Sequence, residues 1–114
     1  MKKTTVAHIS DFQKLDIRVG QVIGAEYLKN SNKLILLKVD LGADYGIIKV
    51  LTGLAKYYKT EDFIGKKFLF LANLLPRQMA GEVSSGMLLT ANNDKQEHLL
   101  IEVSNKIDNG AIIE

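Results

Sequence analysis

The chain has no cysteine in its 114 residues, which removes disulfide staples, thiolate metal sites and cysteine nucleophiles together. Nothing then points to an oxidising compartment, and a cytoplasmic protein is expected. Imidazole is scarce as well. His8 and His98 are the only two, and neither has carboxylates at the spacing of a metal site or a catalytic relay. No glycine-rich phosphate loop and no nucleophile motif is present, so no enzyme, metal or cofactor is expected. Met1-Lys2-Lys3-Thr4-Thr5-Val6-Ala7-His8 is basic but is followed by no long apolar run, which argues against a signal peptide or a membrane anchor. A soluble protein without a membrane partner follows. Apolar residues make up 46% of the chain, enough for one core, so a single domain over residues 9–114 is expected behind a tail of residues 1–8.

The net charge of +2 says little until it is resolved along the chain. Residues 1–27 carry four bases against three acids and are nearly neutral. Residues 28–81 carry nine bases against four acids, a balance of +5, and residues 82–114 carry two bases against six acids, a balance of −4. This asymmetry suits one face for a polyanion and another that avoids it, although ordinary solvated surface produces similar runs.

The apolar spacing is mostly that of strands, broken at Gly, Asn and Asp. Ser10 is placed to cap a helical turn over Asp11–Lys14. Leu15, Ile17, Val19, Gln21 and Ile23 then alternate with their neighbours as a long first strand, with Gly20 and Gly24 as bend or bulge points. A turn at Lys29–Asn32 leads to a second strand over Lys33–Leu41, and a third follows over about Tyr45–Thr52. Thr60-Glu61-Asp62-Phe63-Ile64-Gly65 has a hydroxyl, two acids and a closing glycine, the pattern of a helix of one or two turns. Lys67–Ala72 is the next strand. Asn73–Gly81 is expected to be a loop because it holds the sole proline, Pro76. Further strands are expected over Met87–Thr90 and Leu99–Val103. Three strands, a short helix and two strands is the order of a five-stranded oligonucleotide/oligosaccharide-binding (OB) barrel, an all-β fold that here carries N- and C-terminal extensions.

Several blocks taken together are similar to a known family. They are Asp11-Phe12-Gln13-Lys14-Leu15-Asp16-Ile17-Arg18-Val19-Gly20, Lys33-Leu34 with Lys38-Val39-Asp40-Leu41-Gly42, Gly53-Leu54-Ala55-Lys56-Tyr57-Tyr58, and Ala72-Asn73-Leu74-Leu75-Pro76-Arg77 with Gly81 and Ser84-Ser85-Gly86-Met87-Leu88-Leu89. In this order, over about residues 9–113, they resemble the tRNA-binding domain family. That family includes the C-terminal domain of methionyl-tRNA synthetases, free-standing bacterial tRNA-binding proteins and a branch described as export chaperones. The resemblance implies an OB fold that recognises the outer corner of tRNA with little sequence preference, and a homodimer where the domain stands alone. Leu28-Lys29-Asn30-Ser31-Asn32 replaces the His-Pro pair of many synthetase-linked members, so a free-standing protein is expected, with an aminoacyl-tRNA synthetase as a possible partner. The export-chaperone branch supplies the alternative, binding of unfolded polypeptide on the same fold. The apolar residues around Leu74, Leu75 and Met79 favour it, whereas Tyr57, Arg77 and the basic middle favour RNA.

The RNA-binding candidates carried over by family position are Lys33, Thr52, Lys56, Tyr57, Asn73, Arg77, Ser84 and Met87. Lys33 offers a flexible charge to phosphate, against the alternative of a solvated lysine. Thr52 keeps a hydroxyl where the family often has Ser. Lys56 and Tyr57 offer a charge and a stacking ring, though one of the paired tyrosines is expected to belong to the core. Asn73 either contacts RNA or bonds to its own loop backbone. Arg77 is one of two arginines, and its guanidinium fork suits phosphate. Ser84 supplies a hydroxyl and Met87 an exposed thioether, or else a packed side chain at a strand start. The apolar positions Ile9 and Phe12, with Ile107, Ala111, Ile112 and Ile113, are expected at the dimer interface.

Overall fold

β1 (Ile17–Tyr27) is the longest strand, and it has to serve two neighbours. Its first half pairs with β4 (Lys67–Leu71) and its second half with β2 (Ile35–Asp40), which in turn pairs with β3 (Ile47–Thr52); all three pairings are antiparallel. A bulge between Val22 and Gly24 supplies the extra twist that one strand needs to leave one partner and join the other. Gly20 is required for packing: a Cβ there would lie 2.5 Å from Val39 Cγ1 and 2.8 Å from the Phe70 ring. The computed structural model describes residues 5–95 and 97–114, so the first four residues of the expected tail, and Gln96, lie outside the described residues.

Adding β7 (Met87–Leu88) gives the sheet order β3-β2-β1-β4-β7. This five-stranded antiparallel sheet curls until its edges nearly meet, as expected of an OB-type barrel. Ser84 and Ser85 span the seam, where Ser85 N donates to the Lys49 carbonyl (2.9 Å) and Leu51 N donates to Ser84 Oγ (3.0 Å). Inside lie Phe63, Phe68 and Phe70 with Ile35, Leu37 and Val50, all at most 1% exposed. Burying side chains of this size contributes about 1.5–3 kcal/mol each; the period-2 apolar pattern of the strands places all but Phe63 on the inner face, and the 3-10 turn delivers Phe63.

Four local expectations are corrected. Between β3 and β4 there is no α-helix but a single 3-10 turn, Thr60–Asp62. The chain has no room to continue it, because Phe63 is driven fully into the core and Gly65 N then donates to Val22 O (2.7 Å), while Lys66 O accepts from Val22 N (3.0 Å). Near the start, α1 spans Ile9–Gln13, one residue into which falls Ser10. Ser10 is therefore inside the helix, and His8 precedes it, its N–H held by Asp11 Oδ2 at 3.0 Å.

The segment Asn73–Gly81 is not wholly a loop. Pro76 only precedes a hairpin of β5 (Arg77–Met79) and β6 (Glu82–Ser84), whose two-residue turn has positive φ at both Ala80 (50°) and Gly81 (82°). Two positive φ values match the twist of a tight hairpin. A second hairpin joins β8 (Thr90–Asn92) to β9 (His98–Leu100). The last expected strand thus ends early, with Val103 meeting Lys67 only as an isolated bridge. The C-terminal segment lies along β1, with Val19 N donating to Ala111 O and Ile113 N to Ile17 O, both at 2.9 Å.

Candidate nucleic-acid interface

The β5–β6 hairpin pairs Arg77 directly with Ser84, and the turn at Ser85-Gly86 then delivers Met87 beside them. Together with Leu51, Leu74, Leu75 and Gly86 these residues line a groove of about 60 Å³ on the outside of the barrel. Gly86 is needed for closeness, since a Cβ there would stand 2.9 Å from the Leu71 carbonyl. Arg77 is exposed, and its Nη2 lies 3.6 Å from Met79 Sδ. The ion pairs among the described residues are those of Arg18 with Asp16 and Asp44 and of Lys49 with Glu82, so the Arg77 guanidinium has no carboxylate partner and only Nη2 is engaged, by the Met79 sulfur. A bidentate acceptor such as phosphate is the natural partner of such a fork of donors. Met87 is 45% exposed, so its thioether is available at the rim.

Ser84 stands differently from its neighbours. It is buried, its Oγ accepts from Leu51 N and donates to Gly86 O at 3.0 Å, and so both its capacities serve the seam. Its part in the groove is to hold the Ser85-Gly86 turn. Asn73 is likewise engaged, but not with its own loop: Oδ1 accepts from Asp16 N (2.9 Å) and Nδ2 donates to Lys14 O (2.8 Å). It anchors the start of the groove loop to the segment ahead of β1.

Lys33, Lys56 and Tyr57 form a second patch, because Ala55 N donates to Lys33 O (3.0 Å) and so brings the two turns together. Thr52, half-buried at the end of β3, links this patch along the chain to Leu51 in the groove. Of the two tyrosines, Tyr58 is the structural one. Its ring meets Phe63 edge-on at 6.1 Å and its hydroxyl donates to His98 O (3.0 Å), while Tyr57 is 68% exposed.

Asp16, Arg18 and Tyr45 were not among the residues expected to matter. Arg18 Nε is 2.6 Å from Asp16 Oδ1, Nη1 donates to Gly110 O (3.1 Å) and Asp44 (3.3 Å), and the guanidinium lies 5.2 Å above the Tyr45 ring. The Tyr45 hydroxyl donates to Asp16. The Arg18 and Tyr45 hydrogen bonds hold the Asp16 carboxyl below the usual range, and the bond to Asp16 pushes the Tyr45 phenol up. The available signal was the Asp16-Ile17-Arg18 spacing, which puts both charges on one face of a strand.

A nearly closed barrel with an exposed arginine and tyrosine on its outside and a groove between a hairpin and its seam defines an OB-type binding module. The model of the family described as "Putative tRNA binding domain" matches residues 17–112, and the chain belongs to this tRNA-binding domain family. It is 45% identical over 91 residues to the methionine–tRNA ligase of Clostridium tetani, a match that covers 80% of this chain and 14% of the ligase. The chain therefore spans about one-seventh of that relative's length. A methionyl-tRNA synthetase-related protein of Pyrococcus horikoshii has a similar structure, with a TM-score of 0.92 at 34% identity over 97% of this chain and 100% of that one. The chaperone CsaA of Bacillus anthracis gives 0.84 at 28% identity over 96% and 100%. Among the described residues no helix is long and apolar enough to cross a membrane.

Proposed function

We propose that this chain holds tRNA by its shape and backbone, with little regard for base sequence, and performs no chemistry on it. The observation that carries this reading is the Arg77 guanidinium, without a carboxylate partner among the described residues, beside Met87 and the tight Ser85-Gly86 turn, in a chain whose middle segment has a charge of +5. Lys33, Lys56 and Tyr57 extend the contact, Thr52 adds a hydroxyl, and Asn73 and Ser84 support the groove from behind. Such a module works in the cytoplasm, as a free-standing protein or as an accessory to an aminoacyl-tRNA synthetase. Filter binding with bulk tRNA tests the reading, and saturable binding by the unmodified chain is the expected result.

A homodimer is part of the same proposal. Val6, Ile9 and Ile112 are 90%, 71% and 58% exposed even though the C-terminal segment is bonded to β1, and a second copy related by a two-fold axis would cover this apolar ground. Light scattering over a dilution series is expected to give twice the 12.7 kDa of one chain. Deletion of residues 107–114 is expected to lose that mass.

One observation favours a second reading. Leu75 is 87% exposed at the groove, with Leu74, Val83 and Met87 also exposed near it, a surface suited to an apolar stretch of unfolded polypeptide, and one structural neighbour is a chaperone. Competition between bulk tRNA and an unfolded client protein separates the two. The RNA reading expects tRNA to win.

A further inference from the structure

The turn that carries Tyr57 faces a second groove that shares no lining residue with the Arg77 groove. Tyr57, Tyr58, Lys95, Glu97, His98 and Leu99 line it, and its volume is about 390 Å³, inside the range of small-molecule sites. Its two walls are fixed to each other. The Tyr58 hydroxyl donates to His98 O (3.0 Å) and accepts from Leu100 N (3.3 Å), so one side chain pins the β8–β9 hairpin against the Leu54–Tyr58 turn. With Tyr58 so engaged, the neighbouring Tyr57 ring is left 68% exposed over a preformed space, and neither Lys95 nor Lys56 forms an ion pair among the described residues.

We infer that this groove seats one unpaired ribonucleotide, its base stacked on Tyr57, separately from the backbone contacts at Arg77. A ring with both π-face and cations nearby is a stacking platform that accepts any base, which agrees with indifference to sequence. Lys95 and the His98 ring provide donors for the adjoining phosphate. Glu97, the one acid lining the groove, would repel phosphate but accepts a hydrogen bond from the ribose 2′-hydroxyl, which favours RNA over DNA. The inference rests on the reading of the chain as RNA-binding and adds to it a site for a single-stranded end or loop.

The test is titration of the full chain with hexa-riboadenylate, followed by affinity and by amide NMR shifts. The expected shifts fall at residues 57–58 and 97–100 rather than 84–87. Tyr57→Ser weakens binding about 5-fold or more, Tyr57→Phe binds nearly as the parent does, and hexa-deoxyadenylate binds less tightly than the ribo strand. Because Tyr57 is exposed, both variants retain the parent melting temperature. Tyr57→Ser binding as tightly as the parent, or shifts confined to the Arg77 groove, overturns the inference. Arg77→Ala separates the two readings, for it is expected to weaken folded tRNA and leave hexa-riboadenylate unchanged. A chain that binds hexa-riboadenylate through Tyr57 and ignores folded tRNA keeps this site and loses the tRNA reading.

Discussion

The two arginines of this chain meet opposite fates. Arg18 is enclosed by Asp16, Asp44, the Gly110 carbonyl and the Tyr45 ring, with a side chain 12% exposed, so its donors are taken up in tying β1 to the β2–β3 loop and to the C-terminal segment. Arg77, on a short hairpin, makes its one side-chain hydrogen bond among the described residues with the Met79 thioether. The difference teaches that a charge-bearing residue reports on binding only once its own partners have been counted. By that count the Arg18 region is a clamp for the fold and the Arg77 region a surface for something else.

The sharpest way to break this contrast is to remove each arginine and ask what is lost. Arg18→Ala leaves Asp16 half-enclosed without its cation, and a loss of about 2–4 kcal/mol is expected by chemical denaturation. RNA affinity per folded molecule is expected to hold. Arg77→Ala reverses the pattern, weakening tRNA binding by about 1–3 kcal/mol with a nearly unchanged melting temperature. If Arg77→Ala melted early, or Arg18→Ala lost binding while stably folded, the division between clamp and surface would fail.

Ser84 sharpens the comparison from within the groove. Its hydroxyl satisfies both Leu51 N and Gly86 O, so Ser84→Ala is expected to cost about 1–2 kcal/mol of stability. Any loss of RNA affinity follows from a looser seam. A variant as stable as the parent that binds tRNA poorly would instead make Ser84 a direct contact.

The smallest effect concerns acid. Because Asp16 titrates lower in the folded chain than in the unfolded one, its contribution is fully present above about pH 4 and fades as pH falls through the folded value. Acid unfolding of the parent is therefore expected to show a steeper loss of stability below about pH 4 than Arg18→Ala, which lacks the main cause of the shift. Parallel curves for the two would remove Asp16 from the clamp.

Strands β2 and β4 were legible, because Ile35, Leu37 and Val39 and then Phe68 and Phe70 alternate along them and their period is local information, whereas along β1 the bulge leaves Val22 in the core and Ile23 exposed. Gly24 was recognisable as a bulge point, whereas Gly20 keeps the regular register opposite Phe68 and serves close packing instead of a bend. The hairpin at Arg77–Ser84 was hidden by Pro76, which marks a break, and by Ala80, a residue that rarely takes positive φ and so gave no turn signal. The 3-10 turn was misread as a longer helix because what stops it, the bonds from Gly65 and Lys66 to Val22, lies more than forty residues away in the chain. Ser84 and Asn73 had polar side chains in suggestive places, yet groups they satisfy, on Leu51, Lys14 and Asp16, lie 33, 59 and 57 residues away. Local pattern identifies what a residue offers, and only the fold shows whether the offer is already taken.

The central claim, that Arg77 and the basic middle segment of the chain grip an RNA backbone, is tested most directly by the salt dependence of tRNA affinity. A handful of phosphate contacts releases counterions, so a log-log slope of roughly −3 to −5 is expected for the parent, reduced by about 1 in Arg77→Ala. An affinity that does not change with salt, or a slope identical in the two proteins, would contradict the account.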